Sequence, residues 1–318
     1  MNLRDRRVTS RLLLRRAQAL KRHLPLAVAG EHVGVHQARV ATRRLREAVP
    51  VLSTGLKNSK AGKASRKIRR LTRALGAVRE LDVTLHLVDE LMRHSKLPRN
   101  ALEEVRRHVI EERDRRREMM LERLENVDAE KLGRRLESVA EALNGSDEEA
   151  WRPVLSARVA NRAARLEDAL AHAGQMYAPE RLHDVRIAAK KLRYGLELAA
   201  DSGAKTAAPL VRRIKRLQDL LGRLHDMQVL QEHTAAVQAG PATSRPAMHE
   251  SLGLVARYVE AECRHLHGRY LAVAASIEEV VDAVRARVLP EIGRPRRRRP
   301  LKMNLQRKTR PTVAAGRR

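Results

Sequence analysis

Apolar residues recur at three- and four-residue intervals along most of the chain, the spacing that gathers them on one side of an α-helix. In HQARVATRRLREAV, which begins at His36, residues Ala38, Ala41, Leu45, Ala48 and Val49 share one side. Ile68, Leu71, Leu75 and Val78 form a second stripe, and Ile214, Leu217, Leu221 and Leu224 a third. The pattern predicts helices over residues 3–23, 31–53, 60–95, 99–126 and 128–143, then 151–174, 180–200, 205–236, 245–272 and 274–288. Breaks are expected at Pro25, Gly30, Pro98, Asn144-Gly145-Ser146, Pro179, Gly203, Gly240-Pro241 and Pro290-Gly293. Pro50 lies inside a predicted helix, which should kink there or end earlier.

The stripes come in pairs. HQARVATRRLREAV matches LHDVRIAAKKLRYGLE at His36/His183, Arg39/Arg186, Arg43/Lys190, Arg44/Lys191, Leu45/Leu192 and Arg46/Arg193, each pair 147 residues apart. RKIRRLTRALGAVRELDV from Arg66 matches RRIKRLQDLLGRLHDMQV from Arg212 at an offset of 146. Two motifs in the same order at nearly the same distance imply a duplicated unit of about 145 residues. The expected organisation is two helical halves, 1–145 and 146–290, parted near NGSDEE. A basic tail, 291–318, is expected to be disordered: from Arg294 onward it holds 11 Lys or Arg in 25 residues and no acid.

Composition agrees with helix. The chain has 318 residues, 43% hydrophobic, with no Phe, one Trp and four Tyr. Leu, Ala, Arg and Glu favour helix, whereas β-rich domains usually carry more aromatics. The expected fold class is all-α, as two pseudo-symmetric four-helix bundle subdomains. Cys263 stands alone, so no internal disulfide is available and a reducing, intracellular compartment fits. No run of 18 apolar residues is present, so no membrane-spanning helix is expected. The Arg-rich start lacks an adequate apolar core for a secretory signal; it has some likeness to an organellar transit segment, but helical periodicity runs on beyond it.

Charge changes the picture most. The formal net charge is +28. Such an excess strains a compact fold by self-repulsion and points to a polyanionic partner: nucleic acid, an anionic membrane surface or inorganic polyphosphate. The excess is local. Between His36 and Arg73 there are 12 Lys or Arg and one acid, Glu47, whereas residues 101–141 hold 10 basic and 12 acidic residues. On a helical projection His36, Arg39, Arg43 and Arg46 stand opposite the apolar stripe, with Arg44 beside them. His183, Arg186, Lys190 and Arg193 repeat the arrangement, with Lys191 and Tyr194 nearby. Arg66, Arg69, Arg70 and Arg73 cover the polar side of the next motif, and Arg212, Lys215 and Arg216 that of its copy. Four rows of cations are expected to converge on one groove. Guanidinium forks suit phosphate oxygens, and many modest contacts add along a chain of phosphates.

Other chemistry finds less support. Neither His36 nor His183 has a His, Cys or carboxylate four residues downstream, and surrounding cations repel a metal ion, so no metal site is expected. Anion contact, a helix-start role or burial in the core remain as readings of the two histidines. Glu80, Asp82 and Asp226 are expected to pair with nearby arginines. No Walker loop, G-x-G-x-x-G, HExxH or nucleophile elbow occurs, so neither catalysis nor a cofactor is expected.

The paired motifs resemble the CHAD family, the conserved histidine α-helical domain. The resemblance rests on HQARVATRRLREAV, LHDVRIAAKKLRYGLE and the two segments ending in RELDV and HDMQV, and spans roughly residues 3–290. It implies two four-helix subdomains about a pseudo-twofold axis, inorganic polyphosphate bound on the basic central surface, association with polyphosphate granules in the cytoplasm, and no enzymatic activity. Asp82 becomes Gln228 and Arg79 becomes His225 in the second copy, so a role needing that Asp in both halves is not expected. The alternative is nonspecific nucleic-acid binding through the tail and helices, which needs only cations; scarce aromatics argue against single-strand stacking.

Overall fold

The computed structural model describes residues 7–56, 59–125, 127–144, 149–240 and 246–294. Among them the structure is helical, with no strand. The order is α1 (Val8–Val28), α2 (His32–Leu52), α3 (Ser59–Ala74), α4 (Gly76–His94), α5 (Arg99–Glu125), α6 (Ala129–Asn144), α7 (Trp151–Ala173), α8 (Pro179–Ser202), α9 (Ala207–Gln238), α10 (Pro246–Ala283) and α11 (Leu289–Gly293), the last two joined by a π turn at Val284–Val288.

The predicted stripes form the core. Ala38, Ala41, Leu45, Ala48 and Val49 are all buried, as are Val185, Ala188 and Leu192 on α8. Ile68, Leu71, Leu75, Val78, Ile214, Leu217, Leu221 and Leu224 are buried too. Full burial of a Leu or Ile contributes roughly 1.5–3 kcal/mol, so these stripes settle which side of each helix faces inward. Helices α1, α2, α3 and α6 pack on one another, and α7 packs on α8 as α8 does on α9 and α9 on α10. Helices α9 and α10 also meet the α4–α5 hairpin. Helices α2 and α8, which carry the matched His-Arg motifs, touch at the centre. This order is consistent with an internal duplication.

Several boundaries depart from the sequence pattern. Pro25 lies inside α1, because Leu24 and Ala27 are buried on either side of it. Pro50 does not end α2 early: it is exposed while Val49, Val51 and Leu52 are buried, so packing holds the last turn despite the lost donor. The single helix expected over 60–95 is divided at Leu75, and the two expected over 245–272 and 274–288 are one continuous α10. Part of NGSDEE and the stretch from residue 295 onward, including nearly all of the expected basic tail, lie outside the described residues.

Ion pairs tie the two parts of the chain together. Arg16 of α1 meets Asp201 of α8 at 2.8 Å, and Arg223 of α9 forks onto Glu90 of α4 at 2.8 and 3.0 Å. Glu291 of α11 accepts from the backbone N–H groups of Lys205 and Thr206 at 2.8 and 3.0 Å, placing a carboxylate at the positive start of α9.

Helices α1 and α2 approach so closely at Gly34 that a Cβ there would lie 2.6 Å from the Leu26 carbonyl carbon. Gly34→Ala should therefore push backbone against backbone and destabilise the protein by about 1–3 kcal/mol in chemical denaturation. An unchanged midpoint would mean that α2 can slide off α1 freely.

Candidate anion-binding site

The contact of α2 with α8 sets sequence-matched cations side by side. Arg39, Arg43, Arg186 and Lys190 are each half-buried and close enough to act on one another electrostatically. Arg43 Nη1 reaches the Tyr194 hydroxyl at 3.5 Å, and the Arg193 guanidinium stacks over the Tyr194 ring at 4.9 Å. The nearby acids are few. Asp226 and Glu80 act on Arg186 from α9 and α4. Glu80 is engaged by His225 at 3.3 Å. Burial pushes the Asp226 carboxyl up, although Arg186, His225 and Lys190 pull the other way.

This crowding lowers the pKa of the groups themselves. Lys190 is pulled down to about 7, first by burial and then by Arg186, Arg43 and Arg39. Arg39 is lowered to about 10 by burial and Arg43 and remains a cation at neutral pH. Burial and neighbouring cations also lower His36 and His183. His36 is partly exposed beside Arg79, His32 and Arg39; His183 is exposed, with its ring 5.3 Å from that of His225. Neither histidine is a core residue, which removes that reading of them.

Gly76 makes room for one of these cations. A Cβ there would lie 2.6 Å from Arg39 Nη1, whereas Gly222, its sequence counterpart, has open space. The Leu-Gly of the first copy thus lets the Arg39 guanidinium lie against the start of α4.

A cavity of about 710 Å³ opens from these rows between α2, α7 and α8. Arg43, Arg46, Lys190, Lys191 and Tyr194 line one side. Arg158, Arg162 and Arg165 of α7 line the other. Glu47 is the one acid among its lining residues. It is buried, and Arg162 clasps both its oxygens at 2.6 Å while Arg158 Nε lies 3.0 Å away. Arg162 also donates to the Lys191 carbonyl at 2.7 Å. The α7 arginines were not anticipated. Their i, i+4, i+7 spacing was the available signal, but three such residues on one helix read as an ordinary solvated face.

The other expected residues have different surroundings. Arg44 and Arg193 share the single carboxylate of Glu197, at 3.4 and 3.2 Å, which answers one of their two charges. Arg66, Arg69, Arg70 and Arg73 are exposed on α3; Arg70 and Arg73 border a separate depression with Arg123 of α5. Arg212, Lys215 and Arg216 are exposed near the start of α9. Asp226, the α9 residue near Arg186, lies ten residues beyond Arg216, or about 15 Å along a helix. Two of the four expected rows, on α2 and α8, meet at one place. As expected, Asp82 is paired, with Arg113 at 2.9 Å and His32 at 3.4 Å.

The family comparison accords with this arrangement. The CHAD domain profile matches residues 11–235. The chain belongs to the CHAD domain family. Its structure is similar to the crystal structure of the CHAD domain from the plant Ricinus communis, at 22% identity and a TM-score of 0.60, covering 88% of this chain and 92% of that one. It is also similar to PptA from Streptomyces chartreusis, at 17% identity and a TM-score of 0.60, covering 86% of this chain and 98% of that one. At these identities the likeness is one of fold. The search of curated proteins found no match. The CHAD profile stops short of α10, whereas both structural likenesses extend over most of the chain. No helix of the described residues is long and apolar enough to cross a membrane.

Two measurements probe the electrostatics. An anion entering the trough should restore the Lys190 proton, because the bound-state pKa exceeds the free one. Affinity for a long polyanion should then be greatest below about pH 7 and fall as pH rises above it. Titration calorimetry at pH 8 in buffers of different ionisation enthalpy should show proton uptake that Lys190→Met abolishes; equal heats in all buffers would contradict this. Separately, Glu47→Gln should destabilise the protein by roughly 3 kcal/mol, since it leaves Arg162 and Arg158 without their counter-charge.

Proposed function

We propose that this CHAD protein binds inorganic polyphosphate in the trough between α2 and α8, and that it does so without catalysing a reaction. The observation that carries the reading is the set Arg39, Arg43, Arg186 and Lys190: half-buried, mutually repelling and poorly answered by acids. Such a set is stabilised by an anion that brings many charges into a narrow space. A chain of phosphates has a charge at every unit and is thin enough to lie in a recess. The family resemblance supports the same ligand.

The proposal extends to place and organisation. The chain is a cytoplasmic protein of two helical halves, 1–145 and from 146 through α11 to Gly293, with a basic tail from Arg294. Polyphosphate granules are where its ligand would be concentrated. The groove residues, not the tail, give the affinity. His36 and His183 stand at the end of the rows near Arg79 and His225, where an imidazole N–H adds a donor to phosphate.

Titration with polyphosphate of graded length should show affinity rising with length and then levelling off as the trough fills. Arg43→Ala combined with Lys190→Ala should weaken binding about 10- to 100-fold at moderate salt with helix content unchanged, in line with the loss of one or two recessed charge-assisted contacts. Equal affinity for duplex DNA of the same charge, unaffected by these substitutions, would favour the nucleic-acid reading. Incubation with polyphosphate and Mg²⁺ should release no phosphate; steady release would make the protein an enzyme.

A further inference from the structure

Helix α7 carries Arg158, Arg162 and Arg165 on one face, and all three line the same cavity as Arg43 and Lys190. They do not play the same part. Arg162 is spent within the protein, with both its terminal nitrogens on Glu47 and one also on the Lys191 carbonyl. Arg158 brings Nε within 3.0 Å of Glu47 but makes no hydrogen bond with it there, a looser hold than that of Arg162. Arg165 is exposed one turn further on. Opposite them Arg46 and Lys191 are exposed as well. One buried acid thus anchors α7 to α2, and the remaining cations face a shared space that Glu47 alone does not neutralise.

We infer that α7 forms a second lane of the anion site: Arg158 and Arg165 contact phosphates of a chain that runs on past the α2–α8 rows, and the Glu47–Arg162 clasp holds this lane in position. The inference rests on the polyphosphate reading and adds a length requirement to it. A short chain fills the rows of α2 and α8. A longer one gains contacts on α7. Glu47 is then a positioning residue, acting through the two arginines rather than on the ligand.

The test compares short and long polyphosphate on three full-length variants. Arg158→Ala with Arg165→Ala should weaken binding of long chains about tenfold, leave the shortest chain that binds nearly unaffected, and keep the unfolding midpoint. Equal loss at all lengths, or no loss, overturns the α7 lane. Arg43→Ala with Lys190→Ala should weaken every length; if it does not, the polyphosphate reading itself fails, which separates the two failures. Glu47→Gln should lower the midpoint of the free protein, and long polyphosphate should raise it by more than it raises wild type, because phosphate then supplies the missing counter-charge beside Arg162. An equal rise in both proteins would place the chain away from α7 and overturn the inference.

Discussion

Like charges held together in a half-buried trench repel one another, and the rest of this structure is arranged around tolerating that. Two unit charges about 6 Å apart repel by about 3 kcal/mol at an effective dielectric constant of about 20. Arg39, Arg43, Arg186 and Lys190 repel one another in this manner, and Asp226, Glu80 and Glu47 are too few acids to answer them and the α7 arginines together. Their helices cannot relax apart, because the opposite sides of α2 and α8 are buried through Ala38, Leu45, Val49, Val185 and Leu192. The apolar faces are what keep the cations in place. In a chain of net charge +28, most of the excess can spread over the surface; at the α2–α8 contact it cannot.

Acids are distributed so as to brace this arrangement without filling the trough. Glu47 locks α7 onto α2 through Arg162, and Glu197 takes up Arg44 and Arg193 at the flank. Asp82 is held by Arg113 and His32, away from the central cations. The partial deprotonation of Lys190 near pH 7 is a further response: a group that cannot move away from its neighbours sheds its proton instead. The free protein is thereby strained in a direction that a polyanion relieves. This is why a binding role accounts for these residues more economically than a structural one.

Much of the fold was legible because helical periodicity and duplication reinforce each other. The stripes around Leu45, Ile68 and Ile214 all proved to be core, and the motif pair His36/His183 identified the two helices that meet. The break expected at Pro25 was misplaced because burial of the flanking Leu24 and Ala27 outweighed the lost backbone bond, whereas the helix expected over 31–53 does run through Pro50 to Leu52. The site was legible in part. Matched spacing singled out Arg39, Arg43, Arg186 and Lys190, but a projection of one helix cannot say how far along its neighbour a residue lies. Hence the rows of α3 and of early α9 were expected in the groove and do not line its cavity, while Arg158, Arg162 and Arg165 were passed over. Glu47, the single acid of a basic stretch, carried a signal that the long-range contact with α7 explains.

The central claim is that the trough holds cations whose charge the protein does not answer. Heteronuclear NMR of the Lys190 Nζ group across a pH titration, with and without long-chain polyphosphate, addresses it directly. The account predicts a midpoint near 7 in the free protein and a rise of at least one unit on binding. A midpoint near the ordinary lysine value of about 10.4, unmoved by polyphosphate, would contradict it.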